Sequence, residues 1–173
     1  MERADFVQSH VAGTAEYEAV LAVADALYRH LEEPDVVSAI ALANLPGRSS
    51  AEVQSVLLNH ARSLGFRDES KGLFAGYLTS ALRPDYFLEI EETGVLVEVE
   101  RGKTTINNMD LLDFWKCHIC EHAHYLILLV PCELRQNDTM SPRREFAAVK
   151  NRLGSFFEEP NYTNVRGLFL FGY

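Results

Sequence analysis

Apolar positions fall into blocks of two periods. Tyr17, Val20, Leu21, Ala24, Leu27, Tyr28 and Leu31 recur at helical spacing, so 14–31 reads as an amphipathic helix that Glu32-Glu33-Pro34 stops. A shorter helix over about 35–45 ends at Pro46-Gly47. Ser49-Ser50-Ala51-Glu52 has the form of a capping box, and Val53, Val56, Leu57, Ala61 and Leu64 follow at helical spacing up to Gly65. Beyond an ambiguous stretch at 66–83, period 2 takes over. Tyr86–Ile90 and Val95–Arg101 read as strands joined through Glu91-Glu92-Thr93-Gly94 as a hairpin turn.

Asn108 is placed to cap a helix running to about His122, and His124–Val130 is a near-continuous apolar run of the kind buried on both faces of a sheet. Glu133–Ser141 is polar and loop-like. Ser141-Pro142 reads as the opening of a helix with Phe146, Val149, Leu153, Phe156 and Phe157 on one side, and Val165–Phe171 reads as a last strand. A strand–helix–strand passage implies parallel pairing by crossover. The expected fold class is therefore α/β: a mixed central sheet flanked by helices over 49–173, with 1–48 as an N-terminal helical appendage.

Composition narrows the class. The chain has 173 residues, 47% of them apolar and 24% charged, enough to bury a core without disulfides or metals. The longest apolar run, Tyr125–Val130, is far short of a membrane span, and the charged start, Met1–Asp5, lacks the apolar core of a signal peptide. Three cysteines are an odd number, so a disulfide framework is not expected and the reading is a cytoplasmic protein with no membrane partner. The net charge of −9 is unlike a protein held to nucleic acid by non-specific phosphate contacts alone. Residues 1–48 carry −5 of it and the other 125 carry −4, which leaves room for a locally basic face. Arg143, Arg144, Lys150 and Arg152 would supply such a face on the 142–157 helix, unless they form an ordinary solvated surface.

The chemistry concentrates in the hairpin. Glu98 and Glu100 alternate with Val95, Val97 and Val99, so both carboxylates lie on one face of the strand. Asp85, after Pro84 at the start of the preceding strand, is brought near Glu98 by the hairpin. Carboxylates that converge repel unless protons or a cation intervene, and hard divalent cations take oxygen ligands. Pro84-Asp85, twelve residues, then Glu98-Val99-Glu100, set between a helix and a helix–strand pair, resembles the PD-(D/E)XK nuclease superfamily over about residues 49–130.

The resemblance implies a restriction-endonuclease-like core and a divalent-metal-dependent phosphodiesterase acting on nucleic acid, with DNA the expected substrate. It implies that Asp85, Glu98 and the carbonyl of Val99 hold Mg²⁺ or Mn²⁺, and it makes Glu52 a candidate assisting carboxylate. Glu100 stands where the family usually has lysine. It or Lys103 would orient the attacking water, with Lys116 on the next helix as another candidate lysine, and Arg101 or Lys103 would meet the phosphate. A homodimer fits an enzyme that cuts two strands. The competing reading is a catalytically inactive module of the same fold that binds nucleic acid or protein. The run Cys117-His118-Ile119-Cys120-Glu121-His122 invites a zinc reading, but ligands on neighbouring faces of one helix do not make a tetrahedral site, and buried core cysteines are the expectation.

Overall fold

The computed structural model describes residues 1–68, 72–102, 104–134 and 141–173. Among them, six strands form one mixed sheet. In chain order the elements are β1 (Glu2–Val7), α1 (Ala15–Leu31), α2 (Pro34–Ala43), α3 (Ser50–Ser63), β2 (Arg67–Asp68), β3 (Tyr86–Ile90), β4 (Thr93–Val99), α4 (Met109–Ile119), β5 (Tyr125–Val130), α5 (Glu145–Gly154) and β6 (Gly167–Gly172). The strand order is β1-β6-β5-β4-β3-β2, with β4, β5 and β6 mutually parallel and the outer strands antiparallel to their neighbours.

This is an α/β architecture with helices on both faces of the sheet. Every residue of β5 is buried, so period 2 sends its side chains into two separate cores. Tyr125, Ile127 and Leu129 pack with Val95, Val97, Val99, Phe169 and Phe171 beneath α1, α2 and α3. Leu126 and Leu128 pack with Leu96, Leu168 and Leu170 beneath α4 and α5. Cys117 and Cys120 are buried in this second core, as the sequence led us to expect.

The first 48 residues are not an appendage. α1 contributes Val20, Ala24, Leu27 and Leu31 to the first core, and β1 pairs antiparallel with β6 along its whole length. The strand escapes a hydrophobicity reading because Arg3 and Asp5 occupy the face that would otherwise announce it. The Arg3 guanidinium lies over the rings of Tyr28, Phe169 and Phe171 and bonds to Asp25 at 2.7 Å, so its charge is satisfied at the margin of an aromatic layer.

Other boundaries shift for local reasons. The β3–β4 turn is only Glu91-Glu92, with Glu91 left-handed (φ 51°), and Thr93 and Gly94 belong to β4. Gly94 is required where it stands: a Cβ there would lie 2.5 Å from the Phe87 ring and 2.6 Å from the His122 carbonyl. Asn108 precedes α4 with φ 55° and no side-chain cap bond, and α4 stops at Ile119 rather than near His122. Pro142 does not open α5, because Arg143 first forms a bridge with Leu134 and the helix begins at Glu145. Among the described residues of the ambiguous stretch only Arg67–Asp68 pairs as a strand.

Leu27 lies in the part expected to be an appendage, yet is 1% exposed. Leu27→Ala is expected to lower unfolding stability by about 2–5 kcal/mol. Urea denaturation measures this, and a loss well below that range would return α1 to the status of an appendage.

Candidate active site at the carboxyl ends of the parallel strands

The two-residue turn fixes the β3–β4 register at Tyr86↔Val97, which sets Asp85 beside Glu98 across the hairpin. The contacts are reciprocal. Asp85 N–H donates to Glu98 Oε2 at 3.3 Å, and Val99 N–H donates to Asp85 Oδ2 at 2.8 Å. Gln54 on α3 lies close enough to Asp85 to favour its charged form. Glu98 points from a central strand toward α4 and is 3% exposed.

Lys116 meets it there. Its ammonium donates to Glu98 Oε1 at 2.8 Å, lies 2.9 Å from Asp113 Oδ1 and reaches the Arg83 carbonyl at 3.3 Å. Asp113 and Lys116 are one helical turn apart on α4, so both face the strand ends together. Asp113 is completely buried, and neither of its oxygens is in a well-aligned hydrogen bond. The carboxyl of Glu100 meets that of Asp113. Four carboxyl groups thus surround one ammonium at the carboxyl ends of the parallel strands, the edge where open α/β sheets place their sites.

Burial shifts every acid of the cluster upward, and repulsion from neighbouring carboxylates adds to it at Glu98, Glu100 and Asp113. Desolvation raises Asp85, against the opposing pull of the Val99 N–H and Lys116. Desolvation, then the charge of Asp113, holds Glu98 well above the usual carboxylate range. The same two causes push Glu100 up to about 8, and desolvation, opposed by Lys116, pushes Asp113 up to about 6. Burial works against the charge on Lys116, but Glu98 and Asp113 outweigh it and raise its pKa.

The structure distributes the expected residues unevenly. Asp85, Glu98, Val99 and Glu100 come together, and Lys116 joins them. Lys103 lies outside the described residues. The Glu52 carboxylate accepts from the Ser49 N–H and from Arg48, both at 2.7 Å, and so closes the capping box on the surface of α3. Gln54, two residues on and on another face of that helix, is the α3 side chain that touches the cluster. Arg101 also turns away from any phosphate role: its guanidinium donates to the carbonyls of Asn44, Leu45 and Arg48, anchoring the end of α2. Of the basic residues expected on the 142–157 helix, Arg152 on α5 pairs with Asp110, and Arg143, just before α5, pairs with Glu145.

An all-oxygen donor set with surplus negative charge fits a hard cation such as Mg²⁺ or Mn²⁺ in chemistry. Among the described residues, however, no three His, Cys, Asp or Glu side chains are drawn together as a metal-binding group. Lys116 and backbone N–H groups take up the carboxylate oxygens instead. A cavity of about 620 Å³ at the turn end of the hairpin, bounded by Arg67, Glu89 and His122, includes none of the site residues. No family model matches the chain, and no curated protein matches it. Among the described residues no helix is long and apolar enough to cross a membrane.

The raised acids give stability a definite pH dependence. The folded chain keeps a proton on Glu100 that the unfolded chain releases near 4.5, so stability falls as pH rises from there through about 8. Glu100→Gln is expected to flatten that decline, matching wild type near pH 5 and exceeding it at pH 8. Urea midpoints at the two pH values measure this, and parallel profiles for the two proteins would refute it.

Proposed function

We propose that the chain is a divalent-metal-dependent phosphodiesterase that hydrolyses DNA at the Asp85–Glu98–Lys116 cluster. The observation that carries the proposal is Lys116. The hairpin motif has glutamate where a lysine is usual, and α4 delivers a lysine to the same carboxylate, 2.8 Å from Glu98 Oε1. An aspartate and a glutamate on adjacent strands with a lysine at their side form the acidic and basic halves of a phosphoryl-transfer site.

Asp85, Glu98 and the Val99 carbonyl are the groups that would hold Mg²⁺ or Mn²⁺, which when bound polarises a phosphoryl oxygen and lowers the pKa of attacking water. The chain's own residues supply the rest. Lys116, kept protonated by Glu98 and Asp113, offers its ammonium to negative charge that develops on the phosphate. Glu100, with its pKa pushed up to about 8, changes protonation state close to neutrality and can take a proton from the water. Val99 N–H holds the Asp85 carboxylate, so its orientation is set before substrate arrives.

A second reading has its own support. Lys116 already has three oxygen acceptors, the arrangement of an ion-pair network that joins α4 to β4 in a non-catalytic module.

Supercoiled-plasmid nicking with Mn²⁺, Mg²⁺ or EDTA separates the two. Metal-dependent nicking is expected in wild type. Asp85→Ala should abolish it, and Lys116→Ala should lower it by about 10²–10³-fold, with circular dichroism confirming the fold of each variant. Nicking that survives both substitutions would overturn the site. A folded wild type that neither nicks DNA nor binds Mn²⁺ calorimetrically would establish the non-catalytic module.

A further inference from the structure

β1 is one of the two outer strands of the sheet, and its backbone alternation can be followed from β6. Tyr173 N–H donates to the Val130 carbonyl at 3.0 Å, and the Tyr173 carbonyl accepts from Cys132 N–H at 2.6 Å, so Tyr173 turns its backbone groups toward the β5 side. Alternation then turns Phe171, Phe169 and Gly167 the same way, and directs Gly172, Leu170 and Leu168 toward β1. Their register partners Glu2, Ala4 and Phe6 use their backbone groups on β6. Arg3, Asp5 and Val7 therefore direct theirs outward, where no other strand among the described residues pairs with them, as a ladder open to another strand.

The side chains on that ladder select the strand. Consider a second β1 laid antiparallel, with Ala4 opposite the partner's Ala4. The outward-directed residues meet one another, Arg3 opposite the partner's Asp5 and Asp5 opposite the partner's Arg3. Slipping the strand by two residues in either direction puts Arg3 opposite the partner's Arg3, or Asp5 opposite the partner's Asp5. Like charges directly opposite destabilise a pair of strands and opposite charges stabilise it, so one hydrogen-bonding register is favoured over both its neighbours.

The charges are held ready for it. Arg3 and Asp5 pair within the strand at 2.7 Å, and Asp25 holds the other side of the guanidinium, so both side chains are already ordered. On the opposite face, Phe6 and Lys150 border a groove of about 660 Å³ running between β1 and α5. In this register the partner's Glu2 stands opposite Phe6, on the side where the exposed Lys150 supplies a cation.

We propose that β1 is a self-complementary edge through which two copies of the chain join antiparallel, making one continuous sheet across a two-fold axis at Ala4. The proposal is independent of any activity at the Asp85–Glu98 cluster.

Three measurements test it. Sedimentation equilibrium of wild type in the high micromolar range should show a dimer. Asp5→Arg and Arg3→Glu should each weaken self-association by about tenfold or more, since each puts like charges opposite across the axis, and an equimolar mixture of the two should form a heterodimer. Ala4→Cys keeps all the charges and places two thiols across a non-hydrogen-bonded pair, where Cα atoms are about 4.5 Å apart, so mild oxidation should give a covalent dimer that wild type does not. A monomer throughout the range, a dimer indifferent to both charge changes, or an Ala4→Cys chain that does not cross-link would each overturn the proposal. Cross-linking decides the matter should a charge variant fail to fold.

Discussion

Glu98 sits on a central strand with almost no surface in water, and the carboxyl end of the sheet is organised around its charge. An isolated buried carboxylate takes up a proton or acquires a partner, because desolvation costs it several kcal/mol. Here the partner comes from α4. Lys116 cannot reach Glu98 unless α4 docks in one rotational setting, and that setting brings Asp113 in as well. The pair therefore fixes the helix on the sheet, and breaking such a buried pair from one side typically costs about 3–5 kcal/mol. The same contact that positions α4 also sets the electrostatics of the candidate site. Burial comes first in displacing Glu100 and Asp113 so far from ordinary carboxyls, and one ammonium does not balance the four acids gathered there.

The sheet imposes a complementary constraint. A strand such as β5, buried throughout, needs a helical layer on each face. The crossovers β4–α4–β5 and β5–α5–β6 supply one layer. The other comes from upstream, since α1, α2 and α3 all precede the β3–β4 hairpin. The N-terminal helices are thus a requirement of the buried parallel strands. Arg101 reinforces this dependence: following directly on Glu100, it holds the end of α2 through three carbonyls and so couples that layer to the strand bearing the candidate site.

The sequence was most legible where one local rule decided the outcome. Period 2 and a tight turn sufficed to bring Asp85 to Glu98, and an uninterrupted apolar run sufficed for β5. It was opaque wherever a charged residue served the interior. Asp113 looks like any polar position on an amphipathic helix, and only the Lys116 contact shows that it faces inward. Gln54 lies two residues from the glutamate that the capping-box pattern drew attention to, and the 100° step of the helix gives the two different surroundings. β1 was hidden because Arg3 and Asp5 stand where a half-buried strand ordinarily has apolar residues. Arg101 was misjudged for a related reason: a cation next to acidic residues suggests a phosphate, but carbonyls at a helix end are equally good acceptors.

The β1 edge changes what a dimer would mean for the candidate site. A second copy was first expected because two strands of a duplex call for two active centres. Antiparallel pairing through β1 places the two-fold axis perpendicular to the sheet, which reverses the direction of every strand in the second copy. The carboxyl ends of β4 in the two copies then lie at opposite edges of the continuous sheet. Seven strand spacings separate the two β4 strands, or about 34 Å across the sheet, before the displacement along the strands is added. Two centres placed so cannot close together on one short stretch of duplex. The proposed β1 pairing would therefore bring two copies together without recruiting association to catalysis, and each cluster of Asp85, Glu98 and Lys116 would act on its own strand in independent events, so that nicked circles precede linear DNA.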